Sequence, residues 1–169
     1  LTVGPADLDG LSLVTAPGAV IRGVITTDDG SLPNVLPEQV SVNAREISIE
    51  PMPGGFGEPV VNSDWSFQVS GLMRTRILTA SVTQDPSWAI KAVYHESTDV
   101  TDTPIEFVPG SAVEGFTIVL TRKISELSGQ ISDERNAADT DATVIAFSEN
   151  PERWGFGTRF IRSARPNHD

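Results

Sequence analysis

Aspartate and glutamate number 23 in this chain, and several aspartates come in close pairs: Asp28 with Asp29, Asp99 with Asp102, and Asp139 with Asp141. Two carboxyls on opposite sides of a cleft can share the acid and base roles of glycoside hydrolysis. These pairs, however, sit among turn formers, where aspartate is favoured because its side chain caps backbone amides, and the turn reading is preferred. Hard oxygens also suit Ca²⁺, so Asp99, Thr101 and Asp102, or Asp7 and Asp9, make a weak candidate cation site of millimolar strength. Neither set has the ligand spacing of a helix-flanked calcium loop. The only histidines are His95 and His168, outside any H-E-x-x-H or H-x-x-E pattern, so no zinc-hydrolase site is expected. His95, next to Glu96, reads as a solvated loop residue. No G-x-S-x-G elbow offers a serine nucleophile, and no G-x-G-x-x-G cradle completes itself around Gly55 or Gly155. The lysines, Lys91 and Lys123, come too late in the chain for the early-strand lysine of a self-crosslinking sandwich. No catalytic residue and no cofactor is therefore expected.

The aromatic loops are the better candidates for binding. Trp154-Gly155-Phe156-Gly157 lies between Arg153 and Arg159. An exposed tryptophan beside arginine is a common way to build a sugar-binding or partner-binding surface. Trp154, Phe156 and Arg159 are accordingly candidate binding residues, with Phe56 in the similar stretch Gly55-Phe56-Gly57. The alternative for Trp154 is to cap the end of a sandwich or touch a neighbouring module. Trp65 and Trp88 fall on apolar faces and are expected in the core. Arg159, Arg162 and Arg165, spaced by three, are expected to pair with the acidic surface rather than with a ligand.

Charge removes whole classes of partner. With 12 Lys+Arg against 23 Asp+Glu, the 169-residue chain carries a net charge of -11. Such a surface repels phosphate backbones and anionic membranes, so nucleic acid is not an expected partner. The absence of cysteine excludes disulfides, thiolate zinc sites and iron–sulfur clusters. No apolar run approaches the roughly 18 residues of a membrane span, so no membrane insertion is expected. The opening Leu1-Thr2-Val3-Gly4 has neither a basic nor an apolar signal region, so no export signal is expected in this stretch.

The elements that must position these residues are strands. Apolar residues alternate with polar ones, as they do where one strand face is buried. Trp65, Phe67 and Val69 share a face, as do Phe116, Ile118 and Leu120, and as do Val40, Val42 and Ala44. After Ala44 the phase slips by one, so that Ile47 and Ile49 become the apolar set, which suggests a bulge or a bend into a second sheet. Strands are expected over 19–27, 40–50, 60–70, 75–84, 88–94, 103–107 and 113–121, with a tight turn at Asp28-Asp29-Gly30. About seven short strands parted by frequent turn signals predict an all-β, two-sheet Greek-key sandwich.

The chain also repeats itself. The segment around Gly10 matches the segment around Gly115, an offset of 105, and Gly23 then aligns with Gly129. Such a long period indicates a repeated domain rather than a solenoid. Residues 1–17 read as the last strand of one copy, 18–121 as a complete copy and 122–169 as the first part of the next. Half a sandwich cannot bury its inward face alone. The missing strands are expected from residues beyond this chain, from another chain, or from packing of 1–17 against 122–169.

Three stretches carry a family resemblance: Leu127-Ser128-Gly129-Gln130-Ile131-Ser132-Asp133, then Asp64-Trp65-Ser66-Phe67-Gln68-Val69-Ser70-Gly71-Leu72, then Asp99-Val100-Thr101-Asp102-Thr103-Pro104. In order and spacing they resemble the carboxypeptidase regulatory-like β-sandwich family, whose fold is prealbumin-like (transthyretin-like) and which occurs in tandem in bacterial extracytoplasmic proteins. Trp65 stands where that family usually has glycine, and Met73-Arg74 replaces its usual turn after Gly71-Leu72. The resemblance implies a non-catalytic spacer or interaction module, secreted, periplasmic or at the cell surface, whose partners are neighbouring domains or another protein. A carbohydrate- or peptide-binding module, or the accessory domain of a peptidase, is the alternative.

Overall fold

The computed structural model describes residues 12, 14–47, 57–154 and 158–166. Phe56, Phe156, Asp7, Asp9 and His168 lie outside the described residues, as does most of the expected strand in 1–17. The described residues 12 and 14–18 are not strand, and Val14 is exposed.

The protein is all-β. Its strands are β1 (Ala19–Thr27), β2 (Val40–Glu46), β3 (Glu58–Val61), β4 (Ser66–Leu72), β5 (Arg74–Val82), β6 (Ala89–His95), β7 (Thr98–Asp99), β8 (Ile105–Phe107), β9 (Ala112–Thr121), β10 (Val144–Phe147) and β11 (Ile161–Ala164). Single 3₁₀ turns stand at Pro37–Gln39 and Pro151–Arg153. A six-stranded sheet runs β3-β4-β1-β9-β6-β7 and a three-stranded sheet runs β2-β5-β8. The first and last long strands, β1 and β9, lie parallel at the centre of the larger sheet, while every other pair is antiparallel. One apolar cluster joins the two sheets, and each of its buried members lies between Ala19 and Leu120. Alternation supplies it: Ile21 and Ile25 from β1, Val40, Val42 and Ala44 from β2, Phe67 and Val69 from β4, Phe116, Ile118 and Leu120 from β9.

Among the described residues eleven strands stand where about seven were expected, and the differences have local causes. The expected strand 60–70 is a hairpin, β3 and β4, because Asn62-Ser63-Asp64 turns the chain. The Trp65 amide donates to the Asn62 carbonyl at 3.0 Å, and Trp65 then takes φ +64°. This is a left-handed position closing the turn, where glycine costs nothing and other residues roughly 1–2 kcal/mol. Burial of the indole, only 5% exposed, offsets that cost. Arg74, the first residue of β5, likewise takes φ +66°, just after Met73, the single residue between β4 and β5 where the chain passes from one sheet to the other. The phase slip after Ala44 coincides with the end of β2 at Glu46, not with a bulge inside a longer strand, and Ile49 is outside the described residues. A bulge does occur in β9, where Ile21 faces Val113 but Gly23 faces Phe116, and Gly115 takes φ +84° there.

The C-terminal segment is built differently from its supposed counterpart. Residues 126–131, aligned with β1, are not strand, and Ser132 makes only an isolated bridge to Ala138. A strand needs ladder partners, and β1 has two, β4 and β9, that the described residues of 122–169 do not duplicate. β10 and β11 pair with each other instead, with Val144 facing Ala164 and Phe147 facing Ile161.

Candidate functional site

The turn carboxylates are spoken for. Asp29 accepts from the Thr27 hydroxyl at 2.6 Å and the Ser31 amide at 2.9 Å. Asp64 caps Ser66, Asp85 caps Ser87 and Asp99 caps Thr101 through the same pairing of amide and hydroxyl. Asp139 accepts from the amides of Asp141 and Ala142. Asp28 instead binds Lys123 Nζ at 2.7 Å. Thr101 is buried and uses its hydroxyl oxygen to accept the Val93 amide at 2.9 Å, which ties the 99–102 turn to β6. The three side chains of the candidate Ca²⁺ site are engaged elsewhere: Asp99 and Thr101 bond each other, and Asp102 bonds Arg159. Among the described residues no group of three or more His, Cys, Asp and Glu side chains is placed to hold a metal ion.

These bonds hold five aspartates below the ordinary carboxyl value of 3.8: Asp28 through the Lys123 ammonium, and Asp29, Asp64, Asp85 and Asp99 through the hydroxyls of Thr27, Ser66, Ser87 and Thr101. A group whose folded pKa is depressed stabilises the fold above its unfolded pKa and loses that contribution as pH falls through the folded value. Tm is therefore expected to stay level from neutral pH down to about pH 5 and to fall below about pH 4. Thermal melts across that range check it, and Asp99→Asn should lower the neutral Tm while flattening the acid limb. Lys123, raised by Asp28, keeps its own share until the pH passes its folded value on the alkaline side.

His95 is not a loop residue. It ends β6, stacks on Phe116 with centroids 4.6 Å apart, and its Nε2 lies 3.1 Å from the Glu114 carbonyl oxygen. Trp65 is in the core as expected, and Trp88 packs against it half-buried, with the Arg122 guanidinium 5.5 Å above its ring.

Trp154 follows the 3₁₀ turn Pro151–Arg153, whose start Asn150 caps through its side chain to the Glu152 amide. Its indole is 47% exposed, donates Nε1–H to the Ser148 carbonyl at 2.6 Å, and meets Phe147 edge to face at 5.5 Å. Arg159 turns the other way, toward the sandwich. Its Nε and Nη2 both donate to Asp102 Oδ2, at 3.1 and 2.9 Å, and Nη1 donates to the Ile90 carbonyl at 3.3 Å. Phe160 lies under two guanidinium groups, Arg153 at 4.6 Å and Arg159 at 5.2 Å. Trp154 and Arg159, paired in the sequence reading, thus serve different contacts.

Arg159 closes a seam between the sandwich and the C-terminal segment. Two adjoining clefts of about 870 and 830 Å³ run along it and share Arg45, Lys91, Asp102, Arg159 and Phe160. Six of the chain's twelve cations line them: Arg45, Lys91, Lys123, Arg153, Arg159 and Arg162. Among the described residues Asp99, Asp102 and Glu152 share those walls, and Asp28 pairs with Lys123. A protein of net charge -11 thus carries a net positive seam, where low-dielectric walls focus the field on an anion. Lys91 and Arg162 are exposed and form no ion pair among the described residues. Arg45, Lys91 and Lys123 were not singled out as site residues from the sequence. Their signal was available only as isolated cations in an acidic chain. Comparison with protein-family models, curated proteins and solved structures gives no match.

Proposed function

We propose that this chain is a non-catalytic extracytoplasmic module, a β-sandwich that spaces or docks neighbouring domains of a tandem array or another protein. One observation carries the reading: the β10–β11 hairpin leaves Ile145 56%, Phe147 60% and Val144 40% exposed, and contributes nothing to the core. An isolated two-stranded hairpin is marginal in water, so this one calls for a neighbouring module or partner to cover it. The 105-residue offset between Gly10 and Gly115 supports a tandem arrangement, and the extracytoplasmic placement rests on the family resemblance.

Hydrogen exchange tests it. In the isolated chain the amides of β10 and β11 are expected to exchange at least about a hundredfold faster than those of β9, and to slow when the flanking modules of the parent polypeptide or its partner are present. Protection equal to that of β9 in the isolated chain overturns the reading. The second reading, carbohydrate or peptide binding through Trp154 and its loop, is favoured by the half-exposed indole. Saturable oligosaccharide binding lost in Trp154→Ala would select it. The accessory domain of a peptidase is the remaining alternative, and it differs only in what the module accompanies.

A further inference from the structure

The β10–β11 sheet has two free edges, and they differ in kind. The Ser148 amide donates to the Phe160 carbonyl at 3.2 Å, so in this register Ala146 with Arg162 and Val144 with Ala164 are the hydrogen-bonded pairs. The N–H and C=O groups of Ile145 and Phe147 therefore point out of the sheet on the β10 side, and those of Ile161 and Ser163 on the β11 side. No other strand among the described residues pairs with either edge. Ile145 and Phe147 are both more than half exposed. β11 lies toward the sandwich, since Arg162 lines the seam, whereas no residue of β10 lines either cleft. The edges also differ in guard residues. β11 carries Arg162 and is followed by Arg165 and Pro166, the charges and proline that keep natural edges apart. The run from Ala142 to Ser148 has no charge, no proline and no glycine.

We propose that a second copy of this chain covers the β10 edge: two β10 strands pair antiparallel about a two-fold axis at Ala146, joining two hairpins into one sheet of order β11-β10-β10-β11. The backbone and the charges restrict the register. Ile145 and Phe147 turn their main-chain groups outward, so each must meet an odd-numbered residue of the other copy. With the axis at Ala146, Ile145 of each copy faces Phe147 of the other, and each such pair exchanges main-chain hydrogen bonds and makes a β-branched–aromatic contact. Glu149 then falls opposite Thr143. An axis at Ile145 would set Asp141 against Glu149, like charges directly opposite, and an axis at Phe147 would set Ile145 against Glu149. β11 has no such solution about its centre, where Arg162 would face Arg162 of the other copy. A sheet of three or more strands with an apolar face is stable where a lone hairpin is marginal. Ile145, Phe147 and Ile161 supply that face, with Trp154 edge-on to Phe147. The assembly closes at two copies, because the edges left outermost are the guarded ones of β11.

The proposal names the partner in the docking-module reading and rests on that reading. Sedimentation velocity of the whole chain is expected to show a monomer–dimer equilibrium. It should shift about tenfold toward dimer from low to physiological salt, because two bodies of net charge -11 repel until screened. Hydrogen exchange on the unaltered chain locates the contact. The Ile145 and Phe147 amides, outside the ladder in the monomer, should slow about tenfold between dilute and concentrated protein, and those of Ile161 and Ser163 should not. The chain has no cysteine, so Ala146→Cys adds a single thiol at an exposed position. Opposed positions of a non-hydrogen-bonded pair lie about 4.5 Å apart at Cα, within disulfide reach. Ala146→Cys should therefore crosslink on oxidation with glutathione disulfide, and Ser163→Cys on β11 should not. Ile145→Lys with Phe147→Lys sets ammonium against ammonium and should keep the chain monomeric with an unchanged circular dichroism spectrum. A chain that is monomeric at every concentration and salt overturns the proposal, as does a dimer in which the Ile145 and Phe147 amides gain no protection. Protection of those amides by flanking modules or another protein alone also overturns it, and gives the edge to that occupant. In all three cases fast exchange of β10 and β11 in the dilute monomer still stands for the spacer reading. Protection equal to that of β9 in the dilute monomer overturns the spacer reading instead, so the two failures are distinct.

Discussion

Replacing Arg76 with alanine is expected to cost about 3–5 kcal/mol of folding stability, a large share of the roughly 5–15 kcal/mol that holds a domain folded. Arg76 is 3% exposed, on the inward face of β5 with Leu78 and Val82. Its Nε donates to the Met73 carbonyl at 2.8 Å and its Nη1 to the Ala44 carbonyl at 2.9 Å. Nη2 lies 3.7 Å from Glu46 Oε2, and Arg74 Nη1 lies 3.5 Å from Glu46 Oε1. Glu46 Oε1 is buried with no hydrogen bond, so that carboxylate depends on the field of the two guanidinium groups. Alanine would strip the Met73 carbonyl and the buried Ala44 carbonyl of their donors and halve the charge opposing Glu46. Lysine keeps the charge but cannot fork between two carbonyls, so Arg76→Lys should fall between wild type and Arg76→Ala. Adding Glu46→Gln to Arg76→Ala should restore part of the loss, because it removes the stranded charge. Urea denaturation reads all three as shifts of midpoint at constant slope. A loss under about 1 kcal/mol for Arg76→Ala would mean that water satisfies the site.

Gly23→Ala is the second large effect, with an expected loss of about 2–3 kcal/mol, at the upper end of overpacking costs. A Cβ at Gly23 would lie 2.2 Å from the Phe116 carbonyl oxygen and 2.7 Å from the Phe67 ring. Gly23 occupies an inward position of β1, between neighbours on both sides, β4 and β9. The ring can retreat but the β9 backbone cannot, because it is laddered to β6 as well. Phe67→Leu should therefore fail to rescue Gly23→Ala, and the double variant should be at least as unstable as the sum of the two. The same denaturation series measures it. Rescue by Phe67→Leu would show that the ring, not the parallel ladder, sets the need for glycine.

Much of the sandwich was legible because strand geometry writes itself into sequence. The expected strand 19–27 coincides with β1, and 113–121 differs from β9 by one residue. Gly30, placed in a positive-φ turn position by Asp28-Asp29-Gly30, has φ +81°. Where local signals conflicted, one had to lose. Alternation through Val60 to Val69 suggested a single strand, and the turn chemistry of Asn62-Ser63-Asp64 won. Arg76 carried a readable signal, a charge in phase with Leu78, Ala80 and Val82, that alternation of apolar residues alone passes over. Of the seam, Arg159 was legible beside Trp154, yet its partner Asp102 stands 57 positions away and was assigned to a cation site instead. Arg45, Lys91, Lys123 and Arg162 come from β2, β6, the stretch after β9, and β11, and no local pattern joins them.

By itself the sequence determined which faces are buried, since successive side chains of a strand point to opposite sides and the apolar ones must go inward. It also determined where the chain turns, since few residue types tolerate those backbone angles. Only the tertiary structure decided which strands lie side by side and which cations share one seam. Both depend on distant pairings, β1 beside β9 and Arg159 against Asp102, whose free energy comes from contacts that exist only once the whole chain has closed on its core.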